Sequence, residues 1–562
     1  MSGPKKWPKP GYVAGEAAVA RPEVMRSQDE VFVQQCSLMT LFERLPLRWP
    51  RPAQTRPSPK LSYRSHYQYP GWDELEDPVC WGDLDDFELL LRLVDFSGLR
   101  DVLAEQLGWV SAKGQVPFDP VSLFLLTLWQ IVNDWSRAET LRNLCKPRNA
   151  DFARSFGFQN EVYPSEGGLR HFLTVLGENS TVQDECVSVA QGEQVIEVGI
   201  QALNQLLAQS VDLLRESGVL SETAWQQALL CPDGQIHEAA SRMRCQNVTT
   251  SCYLPAPRPC PAKEKGLRGC DCDTPRCALI CKRSTPWDRA ARFVWYTADN
   301  QDDEKDGEGF YGYRSLPLQL ADPMRRFSIT LLDDLRPANQ REEVPASALL
   351  LQLGAHYPDL MVDAVAGDAG FGYDVFLHTV YDHLRARRVI NLRHHQTDQN
   401  QENWVLRGYD DGGRPICPFG YSLVANGYDN QRQRSKWVCL KACLKAVDPK
   451  VQIPEVSHPP PDCPYLETHH GRIVNLGERF PDGSLRLARD VPVGGPSWKL
   501  LYHRARNAVE GRNATFEAWG LKRLPVYGLP RVTAFIFLAD VLNNLSTMAR
   551  LIREASLSLQ DP

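Results

Sequence analysis

Apolar residues recur at helical spacing in the early part of the chain, after an N-terminal stretch without such a pattern. Residues 1–75 are rich in Pro, Arg and Tyr, so we expect a disordered or extended arm. Between residues 83 and 177, the segments FELLLRLVDFSGLRDVLAEQLGW and PVSLFLLTLWQIVNDWSRAETLRNLC are amphipathic to fully apolar. Pro120 suits the first turn of a helix. The pattern predicts a helical domain over residues 80–190.

Beyond residue 190 the pattern predicts both helices and strands. A long helical pattern covers residues 193–230, and FYGYRSLPLQLADPMRRFSITLL alternates as paired strands do. Two apolar runs end in an acid, ALLCPDG at Asp233 and VDAVAGDAG at Asp368. Pro232 marks the end or the edge of its strand, because proline cannot donate to a ladder. The pattern predicts an α/β domain with acids at two strand tips; Asp363, inside the second strand, is the alternative to Asp368.

A basic helix near the C-terminus carries acids on one face. Arg506, Glu510, Asn513 and Glu517 recur at positions i, i+4, i+7 and i+11. A solvated charged helix is the simplest interpretation, since exposed charge pairs contribute little stability. A carboxylate among cations is also suited to holding a metal ion beside a polyphosphate. The cations of this segment are Lys499, Arg504, Arg506, Arg512, Lys522 and Arg523.

Overall charge argues against a uniformly basic nucleic-acid-binding protein. The 562 residues are 43% hydrophobic and 23% charged, with a formal net charge of −6 and a pI of about 6.1. Any DNA contact would therefore rest on local patches. The apolar run at residues 121–132 is shorter than the ~20 residues that a membrane span needs. The N-terminus MSGPKKWPKPGY has no apolar signal segment. We expect a cytoplasmic protein without a membrane partner.

Many of the 16 cysteines fall into two stretches. Without secretion, they are better interpreted as metal ligands or buried thiols than as disulfides. Thiolates favour zinc, and we expect structural Zn²⁺; a loop of free thiols is the alternative for the first stretch, residues 245–281. The candidate zinc ligands are Cys270, Cys272, Cys277 and Cys281, and then Cys417, Cys439, Cys443 and Cys463. Beside the second set, Arg432, Arg434 and Lys436 form a basic patch that could contact DNA phosphates.

The C-terminal segment resembles the last catalytic segment of bacterial insertion-sequence transposases of the DDE class. The form of that segment is matched by Arg506, Val509, Glu510 and the turn GLKRL at residues 520–524. The apolar residues 532–545 match the closing helix of that family. Two positions depart from the pattern. Tyr502 stands one position early, and Glu517 occupies a place where many members carry a DNA-contacting basic residue.

The resemblance implies a site and a fold. Asp233, Asp368 and Glu510 correspond to the three acids that bind two Mg²⁺ or Mn²⁺ ions in the family. The fold would be an RNase H-like mixed α/β sheet with flanking helices, preceded by an all-α DNA-binding domain. In that domain the element containing Pro164, Leu169 and Phe172 matches a Pro-x-x-x-x-Leu-x-x-Phe element of the family. Arg170, within this element, would contact phosphate. Members of the family also carry an inserted Cys-Pro-x-Gly element like the one at Cys417.

Four segments follow the N-terminal arm in this interpretation. They are a helical DNA-binding domain at residues 80–190, a first catalytic part at 191–400 with the cysteine-rich insertion 245–281, a zinc-binding subdomain at 401–495, and a last catalytic part at 496–562.

The resemblance implies a cut-and-paste DNA transposase. Its partners would be double-stranded DNA, namely the element's terminal inverted repeats and target DNA, and a second copy of the chain on that DNA. It would act in the cytoplasm at the nucleoid. DNA binding would involve Arg170, the basic patch at 432–436 and the C-terminal cations Arg504, Arg506, Arg512, Lys522 and Arg523. The alternative is a catalytically decayed or repurposed transposase that binds DNA without cutting it.

Overall fold

The protein is described from a computed structural model. The residues that it describes are 41, 44–50, 62–70, 81, 84–108, 116–158, 162–191, 194–240, 288–296, 308–322, 325, 327–391, 408–409, 414–429, 434–445, 463, 465–468, 471–477 and 496–558.

Helices dominate the N-terminal region. Its elements are β1 (Leu47–Arg48), α1 (Asp86–Leu93), β2 (Val94–Asp95), α2 (Leu99–Gln106), α3 (Pro120–Val132), α4 (Arg137–Leu144), α5 (Ala150–Ser155) and α6 (Glu166–Glu178). Side-chain caps fix several helix starts, since they satisfy otherwise unpaired N–H groups. Asp119 caps α3 ahead of Pro120, and Ser136 and Glu139 form a reciprocal capping box at α4.

Part of the stretch predicted as an arm is packed against these helices. β1 pairs in parallel with β2, with Leu47 opposite Val94. Trp49 and Tyr67 are buried, and the indole N–H of Trp49 donates to Gln209 Oε1 at 2.7 Å. Trp49 and Tyr67 belong to the core because their large rings bury much apolar area, which the Pro- and Arg-rich composition of the stretch conceals.

A β-hairpin follows the N-terminal helices. It consists of β3 (Thr181–Gln191) and β4 (Gln194–Gln201), paired with Val189 opposite Ile196. The prediction of a helix from residue 193 is therefore wrong at its start, where β-branched side chains suit a pleated strand. Helices α7 (Asn204–Glu216) and α8 (Glu222–Gln226) come next.

Two sheets form the central region. Their elements are β5 (Ala228–Pro232), β6 (Gln235–Glu238), β7 (Arg292–Tyr296), β8 (Glu308–Ser315), β9 (Leu318–Asp322), β10 (Phe327–Leu332), β11 (Leu335–Pro337), α9 (Glu343–His356), β12 (Val362–Gly367), α10 (Asp374–His378) and β13 (Arg387–Ile390). The five-stranded sheet has the order β10-β9-β5-β12-β13. β9 is antiparallel to β5 and β10, whereas β12 is parallel to β5 and β13. In the other sheet β8 lies between β6 and β11 and also pairs with β7.

Helices cover both faces of the five-stranded sheet. Along β5, Leu229 and Cys231 face the helix at residues 496–518, while Leu230 faces the main core that includes Leu349 of α9. Successive strand side chains point to opposite faces, so both sets are apolar and buried. The result is a mixed α/β layer structure.

A smaller cysteine-containing subdomain lies between β13 and the C-terminal helices. Its elements are β14 (Gly408–Tyr409), β15 (Pro415–Ile416), β16 (Val424–Asp429), β17 (Arg434–Val438), α11 (Ala442–Lys445) and β18 (Ile473–Gly477). The order β16-β17-β18 makes a three-stranded antiparallel sheet. It packs around a small apolar cluster of its own that includes Leu423 and Val474.

Two long helices complete the fold, α12 (Pro496–Ala518) and α13 (Leu529–Ser558). By length and composition α13 could cross a membrane, but 94% of its apolar window is buried inside the protein. It is therefore a core helix. α13 packs against α1, α6, α7 and β10 and so joins the N-terminal helices to the sheet.

Candidate active site

Two aspartates stand together at one edge of the five-stranded sheet. Asp233 directly follows β5, and Asp368 directly follows β12. The two strands are parallel neighbours, with Val365 opposite Leu230, so their carboxyl ends meet at the same edge. Asp233 is buried. Asp368 accepts a hydrogen bond from the Gly370 N–H at 2.8 Å, which fixes its carboxylate at the start of a short 3₁₀ turn.

Helix α12 packs across one face of the sheet, and two of its side chains bind both oxygens of Asp233. Arg506 Nη1 donates to Asp233 Oδ1 at 2.6 Å, and Asn513 Nδ2 donates to Oδ2 at 2.8 Å. Glu510 lies one turn beyond Arg506, with Oε1 3.8 Å from Arg506 Nη2, and its side chain is 61% exposed. Arg506 thus lies between the acid of the sheet and the acid of the helix.

The charges at this edge affect one another. Burial raises the pKa of Asp368, Arg506 counteracts that rise, and the nearby Asp233 adds to it. Burial acts to lower the pKa of Arg506, but Asp233, Cys231 and Asp368 outweigh it and raise the pKa. Arg506 therefore stays protonated, and its charge partly offsets the repulsion between the two aspartates.

A further carboxylate, that of Glu342, reaches the same edge and is not among the acids predicted from the sequence. Glu342 precedes α9, and its Oε1 lies 2.7 Å from Arg314 Nη1. Burial raises its pKa to about 7; Arg314 opposes the rise, and Asp368 and Asp233 add to it. No hydrophobic strand leads into Glu342 in the sequence, so the strand-tip rule that found the aspartates could not find it.

Asp363, the alternative to Asp368, and Glu517, the other acid on that face of α12, lie elsewhere. Asp363 is inside β12, 44% exposed, and is ion-paired with Arg387 of β13. Glu517 is exposed near the end of α12. Of the alternatives considered for the second acid, Asp368 is the one beside Asp233.

Arg512, predicted to bind DNA, belongs instead to the interior. Its Nε and Nη2 donate to the two carboxylate oxygens of Asp540 at 2.8 and 3.0 Å, and its Nη1 donates to Gln235 Oε1 at 2.8 Å. The guanidinium carbon lies 3.9 Å from the ring centroid of Phe516. The side chain is fully buried, so it cannot reach a DNA backbone in this structure. This network joins α12 to α13 and β6.

The other predicted DNA-binding residues are dispersed. Lys522 and Arg523 are exposed in the turn after α12, and Arg504 is half-buried on α12. Lys436 is half-buried in β17; Arg434 is in the same strand, and Arg432 lies outside the described residues.

Arg170, exposed on α6, belongs to a group that we call the arginine cluster: Arg137, Arg170 and Arg531. The Arg531 guanidinium lies 4.3 Å from the ring centroid of Tyr527, and its hydrogen bond to that hydroxyl is the main cause of the lowered pKa of Tyr527. Burial lowers the pKa of Arg137, and the charges of Arg531 and Arg170 lower it further, with Tyr527 and Glu166 opposing. Arg137 Nη1 is buried and has no hydrogen-bond partner among the described residues.

Four of the predicted zinc ligands are neighbours. Cys417, Cys439, Cys443 and Cys463 are free thiols, and three of them share one cluster. Burial raises the pKa of Cys417 to about 11, and Cys439 and Cys443 add to the rise. The Tyr421 N–H donates to Cys417 Sγ at 3.4 Å, and the Lys441 N–H donates to Cys439 Sγ at 3.4 Å. Such donors favour the thiolate form that a metal needs.

Neither predicted metal site is assembled around a common point. Within the described parts of the chain, no group of three or more His, Cys, Asp and Glu side chains is arranged to hold a metal ion. At the sheet edge, Arg506 is bound to Asp233 instead. The candidate ligands Cys270, Cys272, Cys277 and Cys281 lie outside the described residues.

No protein-family model matches the chain, and no curated protein matches it. Among solved structures, the chain is similar to the piggyBac transposase in a synaptic complex with hairpin DNA. The match covers 86% of this chain and 80% of that one, with 10% identity and a TM-score of 0.29.

Proposed function

We propose that this chain is a DNA transposase of the DDE class that cleaves and transfers DNA strands in a metal-dependent reaction. The observation that carries the proposal is the pair Asp233 and Asp368 at the tips of adjacent parallel strands, with Glu510 of α12 linked to Asp233 through Arg506. The mixed sheet with helices on both faces supports an RNase H-like catalytic domain. The resemblance of the C-terminal segment to insertion-sequence transposases supports it independently.

By their chemistry, the carboxylates at the sheet edge suit an Mg²⁺ or Mn²⁺ ion, but their described positions do not surround a common point. Its ligands would be the carboxylates of Asp233, Asp368 and Glu510, the hard oxygen donors that these ions prefer. Gly370 leaves open the space beside Asp368, since a Cβ there would stand 2.9 Å from Asp368 Oδ1. Such ions lower the pKa of an attacking hydroxyl and stabilise charge on the leaving oxygen.

The residues around the acids orient them. Arg506 and Asn513 hold the two oxygens of Asp233, and the Gly370 N–H holds Asp368. Arg506 is therefore a positioning residue in this proposal, in place of the phosphate contact that the sequence analysis predicts for it. Because its guanidinium already offsets the negative charge, the carboxylates can stay close together in the absence of a metal ion.

The arginine cluster is the surface that best fits a DNA phosphate. The guanidinium groups of Arg137, Arg170 and Arg531, from α4, α6 and α13, interact electrostatically with one another and with Tyr527. Guanidinium groups bind phosphate through several parallel donors. Lys522 and Arg523 would add exposed positive charge near the end of α12.

The remaining parts of the proposal follow from the resemblance. The substrate would be double-stranded DNA at the element's terminal inverted repeats and at the target, bound by a homodimer in the cytoplasm at the nucleoid. The four cysteines of the small subdomain would hold a structural Zn²⁺, for which thiolates are suitable ligands.

The test compares Glu510→Ala with Glu517→Ala, because both side chains are exposed on α12. With a duplex of the element's end and Mg²⁺, Glu510→Ala should lower the cleavage rate by about a hundredfold or more. DNA affinity should persist in both variants, since it depends on phosphate neutralisation. Glu517→Ala should cleave like the parent. If Glu510→Ala cleaves as fast as the parent, Glu510 is not the third acid.

A second candidate function is DNA binding without cleavage. It is favoured by the occupation of both Asp233 oxygens by protein donors and by the exposure of Glu510. A parent protein that binds element ends with salt-dependent affinity, yet never cuts them in Mg²⁺ or Mn²⁺, would establish this alternative.

A further inference from the structure

Two carboxyl groups in the interior lie beside one guanidinium group. The side chains of Asp333, Asp540 and Arg512 are all fully buried. Arg512 Nη2 lies 3.0 Å from Asp540 Oδ2 and 3.8 Å from Asp333 Oδ2. If both carboxyl groups were ionised, this buried set would carry one negative charge in excess. Burying an uncompensated charge is costly, and a carboxyl group in that position usually takes up a proton instead.

The hydrogen bonds of Asp540 are those of an anion. Its Oδ1 accepts from Arg512 Nε at 2.8 Å and from Thr330 Oγ1 at 2.9 Å. Its Oδ2 accepts from Arg512 Nη2 at 3.0 Å. Both oxygens therefore have donors, and hydrogen bonds to the charged form favour that form.

The hydrogen bonds of Asp333 involve only one of its oxygens. Its Oδ1 accepts from the Leu316 N–H at 2.8 Å and from the Asp334 N–H at 2.7 Å. Its Oδ2 is buried and has no hydrogen-bond partner among the described residues. A buried acceptor without a donor is unfavourable. A proton on Asp333 Oδ2 would remove this deficit, because it turns the oxygen into a donor with a carboxylate beside it.

We propose that Asp333 is protonated on Oδ2 in the folded protein and donates a hydrogen bond to Asp540, so that one buried proton joins the end of β10 to α13 and, through Arg512, to α12. The set then holds one neutral acid, one anion and one cation, and its charges balance. The inference goes beyond the proposed function and does not depend on it.

The pKa of Asp333 supports the assignment. Burial raises this pKa well above its usual value, and the charge of Asp540 adds to the rise, whereas Arg512 opposes it. A hydrogen bond between the two carboxyl groups raises the pKa of Asp333 as well. The two groups are therefore close enough to share a proton.

The neighbouring elements place further polar groups around the pair. His237 of β6 is electrostatically coupled to Asp540, but burial lowers its pKa to about 4, so it is neutral at neutral pH. Asn204 of α7 exchanges hydrogen bonds with the Asp333 backbone. The side chain of Asp334 pairs with Arg336 of β11. Arg512 is thus the cation that the ion pairs of the described residues assign to both carboxyl groups.

The position of this proton makes the docking of α12 sensitive to pH. At a pH high enough to remove the proton, Asp333 becomes a second anion beside Arg512, in an interior that water does not reach. Helix α12 also carries Arg506, Asn513 and Glu510. Loss of the proton should therefore weaken the packing of the helix that holds Asp233 in place.

Infrared spectroscopy of the full chain detects the proton, because a protonated carboxyl group has a carbonyl stretch that a carboxylate lacks. At pH 6, Asp333→Asn should reduce the intensity of this band by one carboxyl group relative to the parent. Asp334→Asn is the matched control, since Asp334 is the next residue, is also buried and pairs with Arg336. It should leave the band unchanged. Equal band intensity in the parent and Asp333→Asn would overturn the inference.

Urea unfolding between pH 5 and pH 9 measures the same proton by linkage. The asparagine amide can donate to Asp540 without titrating, whereas the parent keeps a proton that its unfolded chain releases. The unfolding equilibrium constant of the parent, divided by that of Asp333→Asn, should therefore rise with pH, by up to about tenfold per pH unit. His237 is present in both chains, so its titration cancels. A constant ratio, or an Asp333→Asn variant that does not fold, would contradict the inference.

Asp540→Asn shows which carboxyl group holds the proton. This change removes the anion that accepts from Arg512 and Thr330, and it leaves the buried guanidinium without its bidentate partner. We expect Asp540→Asn to melt at a lower temperature than Asp333→Asn at pH 6, or not to fold at all. An equal or higher melting temperature of Asp540→Asn would place the proton on Asp540 and overturn the assignment.

Discussion

At the scale of single residues, Arg506 controls the charge at the sheet edge. It is the described cation that directly contacts Asp233, and it also lies within ion-pair distance of Glu510. Removing one partner of a largely buried ion pair leaves an uncompensated charge, which costs more than the pair itself contributes. Arg506 therefore stabilises the site when no metal ion is present.

Arg506→Ala should lower the free energy of unfolding by up to about 3 kcal/mol at neutral pH in EDTA. Added Mn²⁺ should then raise the melting temperature of the variant more than that of the parent, because a ligand that binds the folded state stabilises it. Thermal unfolding with and without Mn²⁺ measures both effects. If Mn²⁺ raises the melting temperature of the variant and the parent equally, Arg506 and Mn²⁺ do not interact with the same carboxylates.

At the scale of elements, His237 joins two strands to the turn that ends α12. Its ring nitrogens lie 2.9 Å from the Leu521 carbonyl and 2.9 Å from Ser315 Oγ of β8. Gly312 of β8 faces the His237 backbone so closely that a Cβ would stand 1.9 Å from its carbonyl oxygen. These contacts help to fix α12, and with it Glu510, relative to the sheet.

The burial of His237 predicts a dependence of stability on pH. Burial lowers its pKa from 6.5 to about 4, with the Leu521 hydrogen bond opposing the shift. Between these values the unfolded chain binds a proton that the folded chain excludes, so stability should fall as the pH is lowered from 6.5 to about 4. The contribution of this group is at most about 1.4 kcal/mol per pH unit.

Urea unfolding at pH 7, 6 and 5 measures this slope. His237→Gln should make it shallower, whereas His171→Gln, at an exposed position on α6, should leave it unchanged. An identical slope in parent and His237→Gln would contradict the assignment.

At the scale of the whole molecule, α13 brings the N-terminal helices and the C-terminal segment together. A Cβ at Gly177 of α6 would stand 1.8 Å from the Pro530 carbonyl oxygen at the start of α13, which shows how closely the two helices approach. This packing assembles the arginine cluster from α4 and α6 of the N-terminal region and from α13 near the C-terminus.

Arg170→Ala should weaken DNA binding about equally for all sequences and reduce the salt slope of the binding constant by about one. Stability should not change, since the side chain is exposed. Arg154→Ala is the matched control, because Arg154 is exposed on α5 and already paired with Asp151. DNA binding by the parent and both variants, measured at several salt concentrations, tests this prediction. Equal losses of DNA affinity in the two variants would contradict a specific role of the arginine cluster.

Short-range rules located the two aspartates. An acid directly after an apolar run lies at a strand tip wherever that run forms a strand, and the structure has β5 and β12 at these runs. The same rules failed for residues near 193, where the helical pattern lies in a strand, and for the packed residues around Trp49. In both places a tertiary contact overrides the local pattern. Near residue 193 it is pairing with a neighbouring strand, and around Trp49 it is packing into the core.

What the sequence determined by itself was the alternation of apolar and polar positions, and hence many elements and the acids that stand at their ends. Only the tertiary structure decided which charges meet. Arg506 and Arg512 have the same chemistry and lie six residues apart on α12, yet one binds Asp233 at the site and the other is buried against Asp540. Glu342 and the arginine cluster emerge only from the packed chain, because long-range contacts leave no periodic signal in the sequence.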